Sequence, residues 1–505
     1  MSNSSALTTH PLLYQLNTRV YLTELARSLG RAVTLDDIPD SDIERSARLG
    51  FNWLWLLGVW RTGEASRQVS LTNANVRAEA EHTLPDLTTD DIVGSPFAVS
   101  GYDVKVEWGG QRALSRLRER LHARGLRLLL DFVPNHTGLD HPWLTEHPEF
   151  YIQGTPADLV REPGNYIQVR SGRETLVFAH GRDPYFPGWP DTLQLNYRNP
   201  ALRRALRELL VRLATVCDGL RCDMAMLLEP DVFERTWPKR APDDDAYAES
   251  FWVAAITNVR RTRPDFIFMA EVYWGREWQL QQQGFDYTYD KELYDRLRSG
   301  RGHHVREHLL AKQTYQERSA RFLENHDEPR AAATFPLAVH RAAAVIALLA
   351  PGLRFFHEGQ LEGRRVHVSM HLGRRPDEAP DPALQSFYAG LLACLRRPEV
   401  HIGTWSLWVC RPAWPGNESY RHMLVSTWTH CQSRLLVAVN YAPTEAQSYT
   451  AIDLPELAGQ SLVLVDLLSD AQYERQGDGL RRDGLYLAMP AWGYHVFELR
   501  TLPAS

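Results

Sequence analysis

Short apolar runs alternate with longer amphipathic stretches along most of the chain. This alternation is typical of parallel β-strands joined by crossover helices. The predicted strands are residues 18–22, 52–57, 126–132, 219–223, 266–272, 285–289, 321–324 and 353–357. Eight strand–helix units over this length favour a closed barrel over an open sheet, so we predict an α/β fold with a (β/α)8 TIM barrel.

Apolar residues at helical spacing predict the helices between these strands. One series, residues 114–121, ends before Gly125, and another covers residues 202–213. A third series, residues 342–350, ends before Pro351, which cannot continue a helix. Ser41 and Glu44 have the spacing of a capping box, so we expect a further helix to begin at Ser41.

Two segments break the alternation. Residues 135–200 are rich in Pro, Gly, His, Asp and aromatic residues, lack a helical period and are too long for a structureless loop. We therefore expect a small subdomain inserted after the third strand. Beyond residue 401, alternating runs such as residues 435–439 predict antiparallel strands. The expected domains are a barrel from residues 11–134 and 201–397, an inserted subdomain at 135–200 and a C-terminal antiparallel β-sandwich at 398–505.

Polar residues stand at the ends of four predicted strands, where the active site of a barrel lies. They are Asp131 and His136 on the third strand, Arg221 and Asp223 on the fourth, Glu271 on the fifth, and His326 and Asp327 on the seventh. Ionised groups beside apolar strands cost free energy unless they are paired or used in chemistry, so their convergence predicts an active site. Asp131 is interpreted as a structural carboxylate that bonds to Arg221.

These four segments resemble the four characteristic sequence regions of glycoside hydrolase family 13, the α-amylase family. The barrel, the insertion after its third strand and the terminal β-domain match the layout of that family over nearly the whole chain. Two further segments add to the resemblance: residues 94–99, followed by Tyr102, and residues 351–360. The combination is specific, although any one piece would be weak.

The resemblance implies three catalytic carboxylates: Asp223 as nucleophile, Glu271 as general acid/base, and Asp327 as the carboxylate that holds sugar hydroxyls. The chemistry of retaining glycoside cleavage agrees with this assignment. Two carboxyl groups about 5–5.5 Å apart allow one to attack the anomeric carbon while the other protonates the leaving oxygen. This chemistry needs no cofactor.

The resemblance also implies substrate-binding residues, with His136 and His326 as hydrogen-bond donors to the sugar and Tyr102 as an aromatic platform beneath it. Arg221, two residues before Asp223 on the same strand face, is expected to keep the pKa of Asp223 low. Glu271 follows an apolar run and lies near an ionised Asp223, so we expect its pKa to be raised.

Departures from the family pattern bear on the substrate. Met226 and Leu227 replace a Lys-His pair that many starch-cleaving members carry, which leaves contacts to the leaving-side sugars open. Asn135 matches a calcium-binding asparagine of the family. A structural hydrogen bond is at least as consistent with its position, and we assign no metal site. Residues 189–196 match neither the oligo-1,6-glucosidase nor the neopullulanase version of a motif that distinguishes subfamilies.

The composition of the chain argues against nucleic acid and membranes as partners. The chain has 505 residues and a formal net charge of −6, without the positive field that non-specific nucleic-acid binding needs. The most apolar stretch, residues 342–351, is about half as long as a membrane span. Five cysteines in an irregular set and a polar start without a secretory signal predict a cytoplasmic protein. No glycine-rich nucleotide fingerprint is present in the right context.

The function predicted first is that of a retaining α-glycosidase acting on α-1,4-linked glucans or maltooligosaccharides. The alternative is a glucanotransferase, isomerase or maltosyltransferase, which would pass the same covalent intermediate to a sugar or phosphate acceptor. A third reading, a non-catalytic relative used for binding or assembly, is disfavoured because none of the three carboxylates is missing.

Overall fold

A computed structural model of the protein describes residues 10–172, 174–238, 247 and 249–502. Residues 1–9, which make up most of the polar start of the chain, and residues 503–505 of the expected terminal domain lie outside the described residues. Within the described residues, none of the helices combines the length and the apolar character needed to cross a membrane.

The strands, numbered along the described chain, are β1 Leu12–Asn17, β2 Trp53–Leu57, β3 Trp60–Thr62, β4 Val99–Val104, β5 Arg127–Phe132, β6 His136–Gly138, β7 Gln153–Gly154, β8 Tyr166–Ser171, β9 Glu174–Ala179, β10 Thr192–Gln194, β11 Gly219–Cys222, β12 Ile267–Ala270, β13 Tyr287–Tyr289, β14 Ser319–Arg321, β15 Leu353–His357, β16 Thr404–Trp408, β17 Cys410–Pro412, β18 Met423–His430, β19 Ser433–Asn440, β20 Ala446–Thr450, β21 Ser461–Asp466, β22 Gln472–Gln476, β23 Leu485–Met489 and β24 Tyr494–Thr501.

The α-helices, numbered in the same way, are α1 Thr18–Leu29, α2 Asp40–Arg48, α3 Glu64–Thr72, α4 Ala74–Thr83, α5 Gly110–His122, α6 Trp143–Glu146, α7 Pro156–Arg161, α8 Pro200–Val216, α9 Pro230–Thr236, α10 Phe251–Arg260, α11 Glu277–Gln282, α12 Lys291–Arg298, α13 Gly302–Leu309, α14 Gln313–Glu317, α15 Ala331–Thr334, α16 Leu337–Leu348, α17 Pro382–Leu395, α18 Pro398–Ile402 and α19 Gly477–Arg482.

Eight parallel strands close into a barrel in the order β1-β15-β14-β13-β12-β11-β5-β2. The closed barrel confirms the predicted fold class. The strands carry nearly continuous apolar runs because both of their faces are covered, as in β2, whose five residues are all buried. Since the strands are parallel, their C-terminal ends meet at one end of the barrel, and the polar residues that follow them are brought together there.

Three local predictions are wrong. The predicted first strand, residues 18–22, is helical, because the Asn17 side chain accepts a hydrogen bond from the amide of Val20 and so starts α1 there, while the strand lies earlier, in β1. The predicted helix start at Ser41 lies one residue late, since α2 begins at Asp40 after Pro39, without a side-chain cap. The seventh barrel strand ends at Arg321, where the prediction began it.

Arg321 explains the shift of the seventh strand. Its side chain is fully buried, donates from Nε to the carbonyl of Pro351 at 2.7 Å and is paired with the carboxylate of Asp290. A search for apolar runs does not detect a strand that contains a charged residue. Such a residue can be buried only when it is paired, and its partner is distant in sequence.

Two insertions stand above the C-terminal end of the barrel. Between β5 and α8 the chain forms a three-stranded antiparallel sheet, in the order β7-β9-β8, and a separate pair, β6 with β10. Between β3 and β4 it forms a helical hairpin, α3 and α4, which the apolar pattern did not predict. This α3–α4 hairpin packs through Ala80 and Leu84 against Ile92 and Leu372.

The C-terminal part contains a six-stranded sheet, β16-β18-β19-β24-β21-β22, and a three-stranded sheet, β17-β20-β23. Strand β19 contributes alternate residues to two cores, as side-chain alternation requires. Leu436 and Ala438 belong to the core between the two sheets, whereas Leu435 and Val437 belong to the core of the barrel. Trp428 also donates from its indole nitrogen to the carbonyl of Leu349 at 2.7 Å.

Candidate active site

Arg221 lies at the centre of the carboxylates that the sequence placed at the barrel mouth. It stands on β11 and is 1% exposed. Its Nη1 donates to Oδ1 of Asp223 at 2.7 Å, and its Nη2 lies 2.8 Å from Oε2 of Glu271. Asp223 directly follows β11 and Glu271 directly follows the neighbouring strand β12. One guanidinium group therefore holds both carboxylates.

Aromatic rings enclose the same guanidinium. Its central carbon lies 5.5 Å from the ring centroid of Trp55, 5.1 Å from that of Phe97 and 5.8 Å from that of Tyr289. Cation–π attraction of this kind is stronger where water is excluded, as it is around a buried side chain. The rings therefore compensate part of the cost of burying the charge and hold the guanidinium in place.

Both carboxyl oxygens of Glu271 have partners. Oε2 accepts from the amide of Met224 at 2.8 Å, and Oε1 accepts from the hydroxyl of Tyr273 at 2.8 Å. Burial, with a further contribution from the charge of Asp223, raises the pKa of Glu271 to about 7, although Arg221 opposes the shift. The direction matches the prediction, and it lets Glu271 hold a proton near neutral pH.

The pKa of Asp223 differs from the prediction. Burial raises this pKa above its usual value, and the charge of Asp327 adds to the effect, whereas Arg221 and a hydrogen bond with Glu271 lower it. Arg221 acts in the expected direction, but the desolvation that comes with burial outweighs it. The expectation of a low pKa in the unliganded protein is therefore wrong.

Asp131 does not hydrogen-bond to Arg221 as predicted. Its Oδ1 lies 4.0 Å from Nη1 of Arg221, too far for a hydrogen bond. Instead it accepts from the indole nitrogen of Trp55 at 3.2 Å and from the amide of Gly58 at 3.0 Å. Burial raises the pKa of Asp131 to about 7. Asp131 thus ties β5 to the end of β2.

Met224 has a strained backbone at the position between the two carboxylates. Its φ of +42° lies in the left-handed region, which residues with a side chain rarely adopt. In this conformation its amide bonds Glu271, and the next amide, of Ala225, donates to the carbonyl of Glu271 at 2.9 Å. Strained residues cluster at functional sites, where the surrounding contacts hold them.

The two histidines are buried and uncharged. Burial lowers the pKa of His136 to about 4 and that of His326 well below its usual value. The side-chain Nε2 of Gln15 donates a hydrogen bond of 2.9 Å to Nδ1 of His326. Because Nδ1 accepts, the proton of the neutral His326 ring is on its Nε2. This Nε2 lies 3.1 Å from Oδ2 of Asp327.

A cavity of about 400 Å³ brings most of the predicted residues together. Those that line it are His136, Arg221, Asp223, Glu271 and Asp327. Other parts of its wall come from the α3–α4 hairpin, from Trp189 in the segment after β9 and from Met370 after β15. A more polar opening of about 780 Å³, between α7 and the end of α9, contains none of the predicted residues.

The sequence profile of the family "Alpha amylase, catalytic domain" matches residues 95–370, which is more than half of the chain. The matched span includes Arg221 and all three carboxylates of the cavity. The chain belongs to the α-amylase family.

Curated relatives of this α-amylase family protein include the alpha-glucosidase of Culex pipiens, 34% identical over 148 residues that cover 26% of this chain and 25% of the relative. Alpha-amylase 3 of Dictyoglomus thermophilum is 22% identical over 300 residues, covering 55% of this chain and 54% of the relative. The matches thus span from a quarter to about half of the length of these relatives.

Solved structures of similar fold cover nearly the whole chain. The maltogenic alpha-amylase AmyB from Thermotoga neapolitana gives a TM-score of 0.67 at 17% identity, covering 98% of this chain and 99% of that one. An alpha-amylase from Lactobacillus plantarum gives 0.65 at 20% identity, covering 97% and 99%. This likeness shows that the barrel with its C-terminal β-domain is an α-amylase family fold.

Tyr102 does not line the cavity that holds the three carboxylates. Its hydroxyl accepts from the amide of Val133 at 2.8 Å and donates to the carbonyl of the same residue at 3.1 Å. Phe97 lines the cavity instead and lies 5.4 Å from His326 between ring centroids. Phe97 belongs to the Gly-Ser-Pro-Phe segment at residues 94–97, so a sequence signal for it existed.

We expect the variant Phe97→Ala to lower kcat/KM on short α-glucosides by about 10- to 100-fold, because it removes a ring that contacts both the cavity and Arg221. Tyr102→Phe should instead lower stability by about 1–3 kcal/mol, because it removes both hydrogen bonds that the hydroxyl forms with Val133. Steady-state kinetics and thermal unfolding of both variants check this. A larger activity loss for Tyr102→Phe would restore Tyr102 to the site.

Asn135 forms the structural hydrogen bonds that were the alternative to a calcium ligand. Its side-chain nitrogen donates to Oε1 of Gln194 at 3.2 Å, and Nε2 of Gln194 donates back to Oδ1 of Asn135 at 3.0 Å. The pair joins the end of β5 to β10. In the described part of this α-amylase family chain, no three His, Cys, Asp or Glu side chains form a group that could hold a metal ion.

Proposed function

We propose that the protein is a retaining α-glycosidase that cleaves α-1,4-linked glucans or maltooligosaccharides. The observation that carries this proposal is the shared guanidinium of Arg221, which holds the carboxylates of Asp223 and Glu271 at the wall of one cavity. Two carboxylates bound to one guanidinium group favour the short separation of retaining enzymes over the wider one that admits a water molecule between them.

The proposed mechanism gives each carboxylate one role. Asp223, once ionised, attacks the anomeric carbon, while Glu271 donates its proton to the glycosidic oxygen as the leaving group departs. Glu271 then removes a proton from water, which releases the sugar from Asp223 with the original configuration. Asp327 accepts hydrogen bonds from sugar hydroxyls, and the neutral His136 donates to the same sugar. His326, which does not line the cavity, acts through its Nε2, which lies 3.1 Å from Oδ2 of Asp327.

Product analysis tests this proposal. The purified protein, incubated with maltooligosaccharides, glycogen and isomaltose, is expected to release α-anomeric sugars from α-1,4-linked substrates, as followed by NMR before mutarotation. A β-anomeric first product, or no cleavage of any α-glucan, would contradict it. Longer products formed only after acceptor glucose is added would identify the transferase alternative, which uses the same intermediate.

The pH dependence should follow the proton on Glu271. Only protonated Glu271 can act as acid, and its pKa is raised to about 7, so kcat/KM should fall as pH rises through about 7. Asp223 must be ionised, and its pKa is also raised, so activity should decline on the acid side above the usual Asp pKa of about 3.9. A bell-shaped profile is expected, with its alkaline limb near pH 7. An activity that stays constant up to about pH 9 would rule out Glu271 as the acid.

A reducing compartment, the cytoplasm, is part of the proposal. All five cysteines are free, and four of them are buried, so no disulfide contributes to the fold. Fractionation of the native cells, with an antibody to the chain, tests this location. Recovery in the secreted fraction would contradict it.

A further inference from the structure

A buried glutamine is connected to the carboxylates of the cavity through one histidine, and the mechanism above gives it no role. Gln15 lies on β1 and is fully buried. Its register partners on the neighbouring barrel strands are Trp55 on β2 and His357 on β15. Because paired positions of parallel strands point to the same side of a sheet, these three side chains share one layer. A polar side chain in such a layer costs free energy unless it is hydrogen-bonded.

Among the described residues, the Gln15 side chain has a single hydrogen-bond partner, His326. Its Nε2 donates to Nδ1 of His326 at 2.9 Å, while its Oε1 is buried without a partner there. An apolar side chain of similar volume would fill the same space without leaving an amide oxygen unsatisfied. The donated hydrogen bond is therefore the feature that favours a glutamine at this position.

The ring of His326 is held between two aromatic rings. Its centroid lies 5.7 Å from that of Trp55, which meets it edge-on, and 5.4 Å from that of Phe97. In a close-packed interior, the imidazole cannot exchange the places of its two nitrogens without displacing these rings. What can still vary is the nitrogen that carries the proton of the neutral ring, and the partners of the two nitrogens decide this.

The two nitrogens of His326 face different groups. Nδ1 faces the N–H of Gln15, and Nε2 lies 3.1 Å from Oδ2 of Asp327. With the proton on Nε2, the ring presents an N–H to this carboxylate and stabilises its ionised form. With the proton on Nδ1, the ring would present a lone pair to the carboxylate and an N–H to the N–H of Gln15. A donor at residue 15 thus favours the proton on Nε2.

We propose that Gln15 is a positioning residue, which keeps the proton of His326 on Nε2 and so holds Asp327 as an acceptor for sugar hydroxyls. The effect on catalysis rests on the proposed function, whereas the position of the proton does not. Asp327 lines the cavity, but Gln15 and His326 do not. Gln15 therefore acts from behind the site, through the ring of His326.

Two variants separate the donor from the volume of the side chain. Gln15→Met keeps the length and removes the donor, so that Asp327 alone holds the proton on Nε2. Its kcat/KM on maltooligosaccharides should be about 2- to 10-fold below that of the wild type at every pH. Gln15→Glu keeps the shape, but its ionised carboxylate can only accept, which draws the proton to Nδ1. Its kcat/KM at high pH should be about 10- to 100-fold below that of the wild type.

The pH dependence of Gln15→Glu reports on the proton itself. At low pH the introduced carboxyl group and His326 together hold one more proton, and Nε2 keeps its N–H. When that proton is lost, the remaining one lies on Nδ1, so the ratio of kcat/KM between Gln15→Glu and the wild type should fall as pH rises. The other ionisable groups around His326 are common to both proteins, and their titration cancels in the ratio: Arg221, Glu271, Asp327, His357 and His367.

Nitrogen NMR of selectively labelled histidine detects the proton without any activity. The His326 signals, assigned by their loss in His326→Asn, should show Nε2–H in the wild type. They should not titrate near the usual His pKa of about 6.5, because burial lowers the pKa of His326. At high pH, Gln15→Glu should show Nδ1–H instead.

Gln360→Glu is the matched control. It makes the same change at a glutamine that is 1% exposed, donates to the hydroxyl of Tyr388 at 3.0 Å and does not line the cavity. The His326 signals should be those of the wild type in this variant. The ratio of its kcat/KM to that of the wild type should not change with pH.

Three results would overturn the proposal. Wild-type signals of a ring with Nδ1–H would show that Gln15 does not donate to it. A pH-independent ratio for Gln15→Glu, with thermal unfolding of an intact fold, would leave Gln15 a structural role only. Unaltered kcat/KM in Gln15→Met, which introduces no charge, would have the same meaning even if Gln15→Glu does not fold.

Failure of the proposed function is distinguishable from these results. If the wild type cleaves no α-glucan, the catalytic effect of Gln15 fails together with the proposed function. An Nε2–H signal from His326 in the same sample would then show that the hydrogen bond is as described and that the assigned reaction is the error.

Discussion

Replacing Asp223 by asparagine is expected to lower kcat/KM on maltooligosaccharides by at least about 10⁴-fold, because the variant has no nucleophile for the anomeric carbon. Asparagine has nearly the same volume, and Arg221 keeps its contact of 2.8 Å with Glu271, so the barrel mouth should stay folded. Steady-state kinetics measures the loss, and thermal unfolding checks that the fold is intact.

Asp483→Asn is the matched control for this variant. Asp483 is an exposed carboxylate paired with its neighbour Arg482, distant in sequence from the site, and its replacement should leave kcat/KM unaltered. A second variant, Asp223→Gly, opens space for azide, which should attack from the face of the missing carboxylate and give a β-glucosyl azide. Retention of activity within about tenfold of wild type in Asp223→Asn would exclude the nucleophile role.

Replacing Glu271 by glutamine is expected to lower kcat/KM by about 10²–10⁴-fold on maltooligosaccharides, whose leaving oxygen must be protonated. The loss should be much smaller on a dinitrophenyl α-glucoside, because that leaving group departs without a proton. The comparison between the two substrates isolates proton donation from substrate binding. Burst kinetics on the aryl substrate would further show slow release of the sugar from Asp223.

The readouts for Glu271→Gln separate a catalytic from a structural role. The alkaline decline near pH 7 should disappear in the variant, since the group with the raised pKa is gone. Glu418→Gln, which alters an exposed carboxylate of the C-terminal part, should keep both activity and pH profile. Equal losses on the maltooligosaccharide and the aryl substrate would show that Glu271 does not act as the acid.

Strands with unbroken apolar runs were the predictable part of the fold. β2 is an example: it was predicted at residues 52–57 and lies at Trp53–Leu57, and all five of its residues are apolar and buried on both sides of the barrel wall. β1 was missed because Gln15 interrupts its run. Gln15 is fully buried, and its polar side chain is accommodated there by a hydrogen bond to His326, which is distant in sequence.

The position of the site was also predictable, because the residues that follow parallel barrel strands all lie at the same end of the barrel. The partners of those residues were not predictable. The pattern paired Arg221 with Asp223 through their two-residue spacing, but the second pairing, with Glu271, requires β11 and β12 to be neighbours in register. The sequence could not show which aromatic ring, Phe97 or Tyr102, lines the cavity. The hydroxyl of Tyr102 hydrogen-bonds to the main chain of Val133, and this contact cannot be read from a sequence pattern.

The C-terminal sheets hydrogen-bond to two barrel helices, so the barrel is not expected to tolerate their removal. Leu349 stands at the C-terminal end of α16 and Leu297 near that of α12, positions where helix carbonyls lack partners within the helix. Trp428 bonds to the first carbonyl and the hydroxyl of Tyr441 to the second, at 2.8 Å. A chain truncated after α18 would keep all eight barrel strands and all three carboxylates of the cavity. It would nevertheless lose the external caps of two barrel helices and expose the apolar barrel surface that the sheets now cover, so we expect the truncated barrel to be unstable.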